Sequence, residues 1–184
     1  MDDQKIIAAI EAAKPGIEKY RAIMRRFREV DVSLDEDFQR QYKGFYRVRQ
    51  KPAEWYKCYF QLLEKSKQAR TTFDQVLMAL RDALGGAYEP SFSSKLNATV
   101  DPWQPVWDEH VLRNTGHTPP RYSSANKHQE AVVAFVSIKD WYQAFLQSEE
   151  GQHWINLFNA HVPGYFEFTD VKKVDFILWQ IREA

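Results

Sequence analysis

One cysteine, Cys58, stands in the whole chain, so no internal disulfide can form and there is no thiolate cluster for zinc or iron–sulfur chemistry. Cys58 reads as a small apolar residue on a helix. No apolar run approaches the roughly 18 residues that a membrane span needs. The acidic start Met1, Asp2, Asp3 has neither the basic nor the apolar region of a signal peptide. The expectation is a soluble cytoplasmic protein with no membrane partner. Net charge is lacking as well: 25 basic side chains balance 25 acidic ones. That balance excludes a protein that holds nucleic acid by bulk electrostatics, so any basic footprint must be local. Glycine is scarce, and its one doublet, Gly85-Gly86, lacks the lysine and hydroxyl that follow in a phosphate-binding loop. His117, His128, His153 and His161 are scattered without metal-ligand spacing, so neither a metal nor another cofactor is expected. No internal repeat or low-complexity tract appears.

What remains is a chain of 184 residues, 44% hydrophobic, long enough for one good core and read as a single domain over residues 1–184. Its apolar residues recur at helical spacing almost throughout. Residues 2–13 carry Ile6, Ile7 and Ile10 and stop near Pro15, which itself starts a second helix reaching about Val30 with Ile17, Tyr20, Ile23, Met24 and Phe27 on one stripe. A third segment joins Phe38, Tyr42, Phe45 and Tyr46. Pro52 suits a first turn before Trp55, Tyr56, Tyr59, Leu62 and Leu63. Thr72 caps a helix with Phe73, Val76, Leu77, Leu80 and Leu84 that Gly85-Gly86 ends. Residues 114–124, with Gly116, Pro119 and Pro120, form a loop. Residues 131–146 resume a helix, although Val132 to Val136 also suits a strand that has no good partner nearby. Ser148 starts another helix, 165–168 reads as briefly extended, and Thr169 caps the last, with Val171, Val174, Ile177, Leu178 and Ile181. Roughly nine helices with short connections describe an all-α multi-helix globule, with two lobes and a cleft as one arrangement.

The basic residues are uneven along the chain. Lys19, Arg21, Arg25, Arg26 and Arg28 crowd one segment; Arg40, Lys43, Arg47, Arg49 and Lys51 crowd another; Lys57, Lys65, Lys67 and Arg70 extend the set. Each alone reads as a solvated helix face, and three in succession point to an asymmetric surface. Aromatics, at 15%, offer flat faces for stacking a base, although most recur at helical spacing and belong to the core, Trp55, Trp141 and Trp154 among them. Trp103 and Trp107 flank Asp108.

Two short runs carry the candidate chemistry: Pro90-Ser91-Phe92-Ser93-Ser94-Lys95 and Val106-Trp107-Asp108-Glu109-His110-Val111. A lysine and an aspartate converging on one pocket supply an amine nucleophile and a carboxylate that stabilises cationic charge. The two runs resemble the helix-hairpin-helix superfamily of DNA glycosylases, and most of all its 8-oxoguanine branch, in which a Pro-Gly-hydrophobic-Gly-x-Lys hairpin precedes a Val-Asp-x-His-Val element. Pro90 takes the proline place, Ser91 and Ser93 the glycine places, Phe92 the hydrophobic place and Lys95 the lysine place, while Asp108 and His110 take those of the aspartate and histidine. Serines replace both hairpin glycines, and Asp108 follows Lys95 by thirteen residues, an interval shorter than is usual in the family.

The resemblance implies a DNA glycosylase of the base-excision repair type, a hydrolase working as a monomer on double-stranded DNA that contains a damaged or modified base. The base is flipped into a pocket, Asp108 stabilises the charge developing on the sugar, and Lys95 is either a Schiff-base nucleophile or, with water attacking instead, a phosphate or structural contact. Ser91, Ser93 and Ser94 are the implied phosphate contacts of the altered hairpin, His110 a supporting contact, and Trp107 and Tyr46 candidate base platforms. Arg47 or Gln50 is the polar side chain that fills the gap in the duplex. Asp108 reads equally as a helix amino-cap. A non-enzymatic helical module that binds nucleic acid or protein on the same fold is the competing class.

Overall fold

Short polar side chains with extended backbone open several of the helices. Asp35 accepts from the Phe38 amide at 2.6 Å, Ser148 from Gly151 at 3.0 Å and Thr169 from Lys172 at 3.2 Å. Each satisfies a donor that the first turn leaves without a partner. The computed structural model describes residues 1–69 and 71–181. Among them the chain is all-α, without a strand: α1 (Asp3–Glu29), α2 (Glu36–Phe45), α3 (Ala53–Ala69), α4 (Phe73–Ala83), α5 (Pro90–Val100), α6 (Glu109–Asn114), α7 (Lys127–Gln147), α8 (Glu149–His161) and α9 (Asp170–Gln180). Two compact units can be distinguished, Pro15–Asp101 and Met1–Lys14 with Pro102–Ala184.

Two local expectations are corrected. Pro15 does not divide two helices but lies inside α1. A proline in a helix removes one backbone bond and costs about 3 kcal/mol. Here Pro15 is exposed, while Ile6, Ile10, Ala13, Ile17, Tyr20, Met24 and Phe27 hold one buried stripe at helical period through it. The burial of these side chains, about 1.5–3 kcal/mol for each large one, outweighs the lost bond. The helix expected over residues 131–146 holds, with Val132 to Val136 inside α7. Ala131, Phe135, Ile138 and Tyr142 are buried at helical spacing while Val133 and Val136 are exposed, so the period of the whole segment overrides the β-branched run. Residues 165–167 form a turn of 3₁₀-helix, entered through Gly164 at φ 71°, and only Phe168 is extended.

In the Pro15–Asp101 unit the core is aromatic. Phe38 meets Phe27 at 6.2 Å and Tyr42 at 5.5 Å between ring centroids, and Trp55 stacks on Tyr59 at 4.8 Å. Helix α5 runs through this core with Ser93 to Thr99 buried without a break. In the other unit α9 is the buried element, with Val171 to Leu178 all buried, and α6, α7 and α8 pack against it. Gly151 lets α8 approach the end of α7: a Cβ there would stand 1.8 Å from the Phe145 carbonyl oxygen.

The link between α1 and α2 is tied by charge. Arg26 donates two parallel bonds to Asp35, at 2.8 and 2.7 Å. Arg26 and the Phe38 amide together hold the Asp35 carboxyl below its usual value. A lowered folded value means stability that is present above the unfolded value of about 4 and is lost as pH falls through the folded one. Asp35→Asn is therefore expected to lower the melting temperature at neutral pH, and the gap from the parent protein should close on acidification below about pH 4, as read by circular dichroism melts across pH.

Candidate functional site

An open groove of about 590 Å³ lies in the carboxy-terminal unit, within the size range of small-ligand sites. Residues 103–105 form one wall, Lys139, Tyr142, Gln143, Leu146 and Gln147 of α7 another, and Val171 of α9 closes it. Trp103 is 59% exposed, so an indole face and three glutamine amides, from Gln104, Gln143 and Gln147, border the same space.

Behind the groove sits a buried charged cluster. Tyr142 donates to Asp175 at 2.5 Å, Lys172 donates to the other carboxylate oxygen at 2.7 Å, and the Val106 backbone N–H adds a third donor. Burial pushes the Asp175 carboxyl up, and these three donors oppose it. Burial also drives the Tyr142 phenol well above its ordinary range, with the charges of Asp175 and Asp108 adding to the effect. Tyr142 is thus a neutral donor, and Asp175 fastens α7, α9 and the segment carrying Trp103 and Asp108 to one point.

Asp108 is the amino-cap of α6, its Oδ1 accepting from the His110 amide at 3.0 Å. It is half-buried, and its charge reaches Tyr142 on the groove wall. The His110 ring places Nδ1 in the interior without a hydrogen-bond partner among the described residues. Trp107 is only 4% exposed and belongs to the core, which leaves Trp103 as the accessible indole of the pair.

Lys95 lies in the other unit, only 5% exposed. Its ammonium is 3.5 Å from the Tyr46 carbonyl oxygen and 5.2 Å from the Phe92 ring centroid. The run from Pro90 is not a hairpin but the first turns of α5, with Pro90 at a position where a missing N–H costs nothing. Ser93 donates to the Glu89 carbonyl at 2.8 Å and Ser94 to that of Ser91 at 2.9 Å. Both side chains are wholly buried and Ser91 is half-buried. Tyr46 is buried, its ring 4.6 Å from that of Tyr42. Arg47 and Gln50 are exposed in the link after α2, both at positive φ, 53° and 58°, which side chains resist. Arg47 sits at the left-handed place just past α2, followed by the Val48 amide bonding back to Lys43 at 2.9 Å.

Five residues of the basic segments are paired with acids of the amino-terminal region. Arg21 pairs with Glu18, Arg26 with Asp35, Arg40 with Asp37, Lys51 with Glu89 and Lys67 with Glu64. Lys19, Arg25, Arg28, Arg47, Arg49, Lys57 and Lys65 stand exposed; Arg70 lies outside the described residues. Among the described residues no three His, Cys, Asp or Glu side chains come together as a metal would need, and no helix is long and apolar enough to cross a membrane.

Sequence reasoning passed over Tyr142, Lys172, Gln143 and Gln147. The signal for the cluster was legible: Lys172 and Asp175, three apart among Val171, Val174, Phe176, Ile177 and Leu178 of the last helix, are residue types that are buried only when paired. Nothing marked the glutamines. Comparison of the chain with protein-family models, curated proteins and solved structures found no match.

Lys172→Met leaves Asp175 buried without its cation. The expected cost is about 3–5 kcal/mol at neutral pH. Removing the cation raises the folded value of Asp175 further, and a raised carboxyl contributes stability that is lost as pH rises through it, so the deficit should shrink in acid. Urea denaturation across pH measures both. Lys172→Met combined with Asp175→Leu is expected to recover most of the loss.

Proposed function

We propose that the protein releases a damaged or modified base from DNA, with Asp108 as the reacting carboxylate and the groove beside Trp103 as the receptor for the extruded base. The feature that carries this reading is the lining of the groove, an exposed indole and three amides, one wall of which is formed by residues 103–105 of the segment that leads to Asp108 at the start of α6. A flipped base is flat and edged with alternating donors and acceptors. An indole face stacks on it, and a glutamine amide, being donor and acceptor at once, reads its edge. Breaking the glycosidic bond leaves positive charge on the sugar, which a nearby carboxylate stabilises. The resemblance of the Val106 to Val111 run to the catalytic element of helix-hairpin-helix glycosylases supports the same assignment.

Burial of Lys95 favours the water route over the amine route. Water attacks the sugar carbon, Asp108 orients it and takes its proton, and the base leaves with the bonding electrons. Lys95 then has a structural role, its ammonium held by Tyr46 and the aromatic rings above it.

A second reading rests on the cap itself. Since Asp108 Oδ1 already serves the His110 amide, capping alone accounts for an aspartate there, and the groove then belongs to a binding module without chemistry. Asp108→Asn keeps an acceptor for the cap and removes the charge. With duplexes each carrying one modified base, this variant is expected to lose at least about 10²-fold in base release while keeping DNA affinity. Trp103→Ala is expected to weaken binding of the base-bearing duplex by about 1–3 kcal/mol. No release by the parent protein on any duplex, or release indifferent to Asp108→Asn, would sink the enzymatic reading. Borohydride trapping on abasic-site DNA is expected to yield no covalent adduct, and Lys95→Met is expected to leave base release unchanged.

A further inference from the structure

Helix α6 ends in a manner that fixes one histidine in place. Thr115 is the last half-helical residue, Gly116 takes the left-handed conformation at φ 74°, and the His117 amide bonds back to the Leu112 carbonyl at 2.8 Å. This six-to-one closure holds the backbone of His117 against the helix. Its ring then bridges two hydroxyls. Nδ1 is 2.8 Å from Thr115 Oγ1, and Nε2 is 3.2 Å from Oγ of Ser137, an exposed residue on α7.

The hydrogen positions follow from what each atom can accept. The Thr115 hydroxyl lies 2.8 Å from the Val111 carbonyl oxygen, which can only accept, so the single hydroxyl proton goes there. Thr115 Oγ1 is then an acceptor for Nδ1, and Nδ1 carries the ring proton. In the neutral ring the Nε2 lone pair is left facing Ser137, whose hydroxyl donates to it. The opposite tautomer sets two lone pairs against each other across the 2.8 Å contact at Thr115. A base oriented by a third group and set against a hydroxyl is the arrangement that activates a nucleophile.

We propose that Ser137 and His117 form a nucleophile–base pair that accepts activated acyl or phosphoryl groups, at a site independent of Asp108. Ser137 Oγ bonds to the electrophilic carbon or phosphorus, its proton passes to His117 Nε2, and the leaving group departs with the bonding electrons, taking the proton from the imidazolium when it is basic enough. Water repeats the sequence to return free serine. The pair supplies the proton acceptor, and the leaving group of the electrophile supplies the rest of the driving force.

The test uses a fluorophosphonate probe on the full chain, read by intact mass and peptide mapping. One adduct is expected, on the peptide containing Ser137, with fluoride released. It should vanish in Ser137→Ala, and its rate should fall at least about tenfold in His117→Gln. Thr115 acts through the histidine, so ¹⁵N shifts of the His117 ring are expected to report the Nδ1–H tautomer in the parent protein and a changed tautomer ratio in Thr115→Val. Labelling no faster than in the urea-unfolded chain, labelling that persists in Ser137→Ala, an unchanged rate in a folded His117→Gln, or an Nε2–H ring would overturn the proposal.

Discussion

The groove of the carboxy-terminal unit hangs on one buried carboxylate. Asp175 takes donors from Tyr142 on α7, from Lys172 on its own helix and from the backbone of Val106. The anchored segment is the one that carries Trp103 to the groove and Asp108 to the start of α6. A buried charge tolerates little displacement, because moving any donor away leaves it unsolvated. The cluster therefore works as a fixed point: it holds the groove walls together although one of them, residues 103–105, has no regular secondary structure.

The amino-terminal unit shows a related economy in α5. This helix is buried along seven consecutive residues, five of them polar or charged, and a fully enclosed helix must settle every such group internally. Ser93 and Thr99 do so with carbonyls four residues back, and Thr99 also meets the Tyr42 hydroxyl at 3.3 Å. Burial holds the Tyr42 and Tyr59 phenols neutral, free to share a hydrogen bond at 2.9 Å. Serines in this run keep the helix slim enough to pass through an aromatic core. That packing explains them without any contact to phosphate.

How far the sequence could be read differed by element. The helical class was legible because apolar residues recur at a period that no strand shares, as in Phe73, Val76, Leu77 and Leu80, and the caps Ser148 and Thr169 were visible as hydroxyls ahead of such stripes. Pro15 misled because a proline signals a local cost, whereas the stripe on both sides of it is collective. Val132 to Val136 was legible as helix despite its β-branched side chains, because no neighbouring run offered a strand to pair with. Lys95 and the serines around it look like surface chemistry in a list of residue types, and nothing local states that they face a core. Trp103 and Trp107 are four apart in sequence and indistinguishable there, yet one is exposed and the other enclosed.

Periodicity and capping are properties of neighbours along the chain, and so the sequence by itself determined that this protein is helical, roughly where its helices begin and stop, and that Asp108 stands at a helix start. Which charged residues lie inside, which indole meets solvent, and which α7 hydroxyl faces His117 depend on residues well separated along the chain. Burial and hydrogen-bond partnership are set by what packs against a side chain, not by what precedes it, and only the tertiary structure brings Tyr142 to Asp175, or Ser137 to His117.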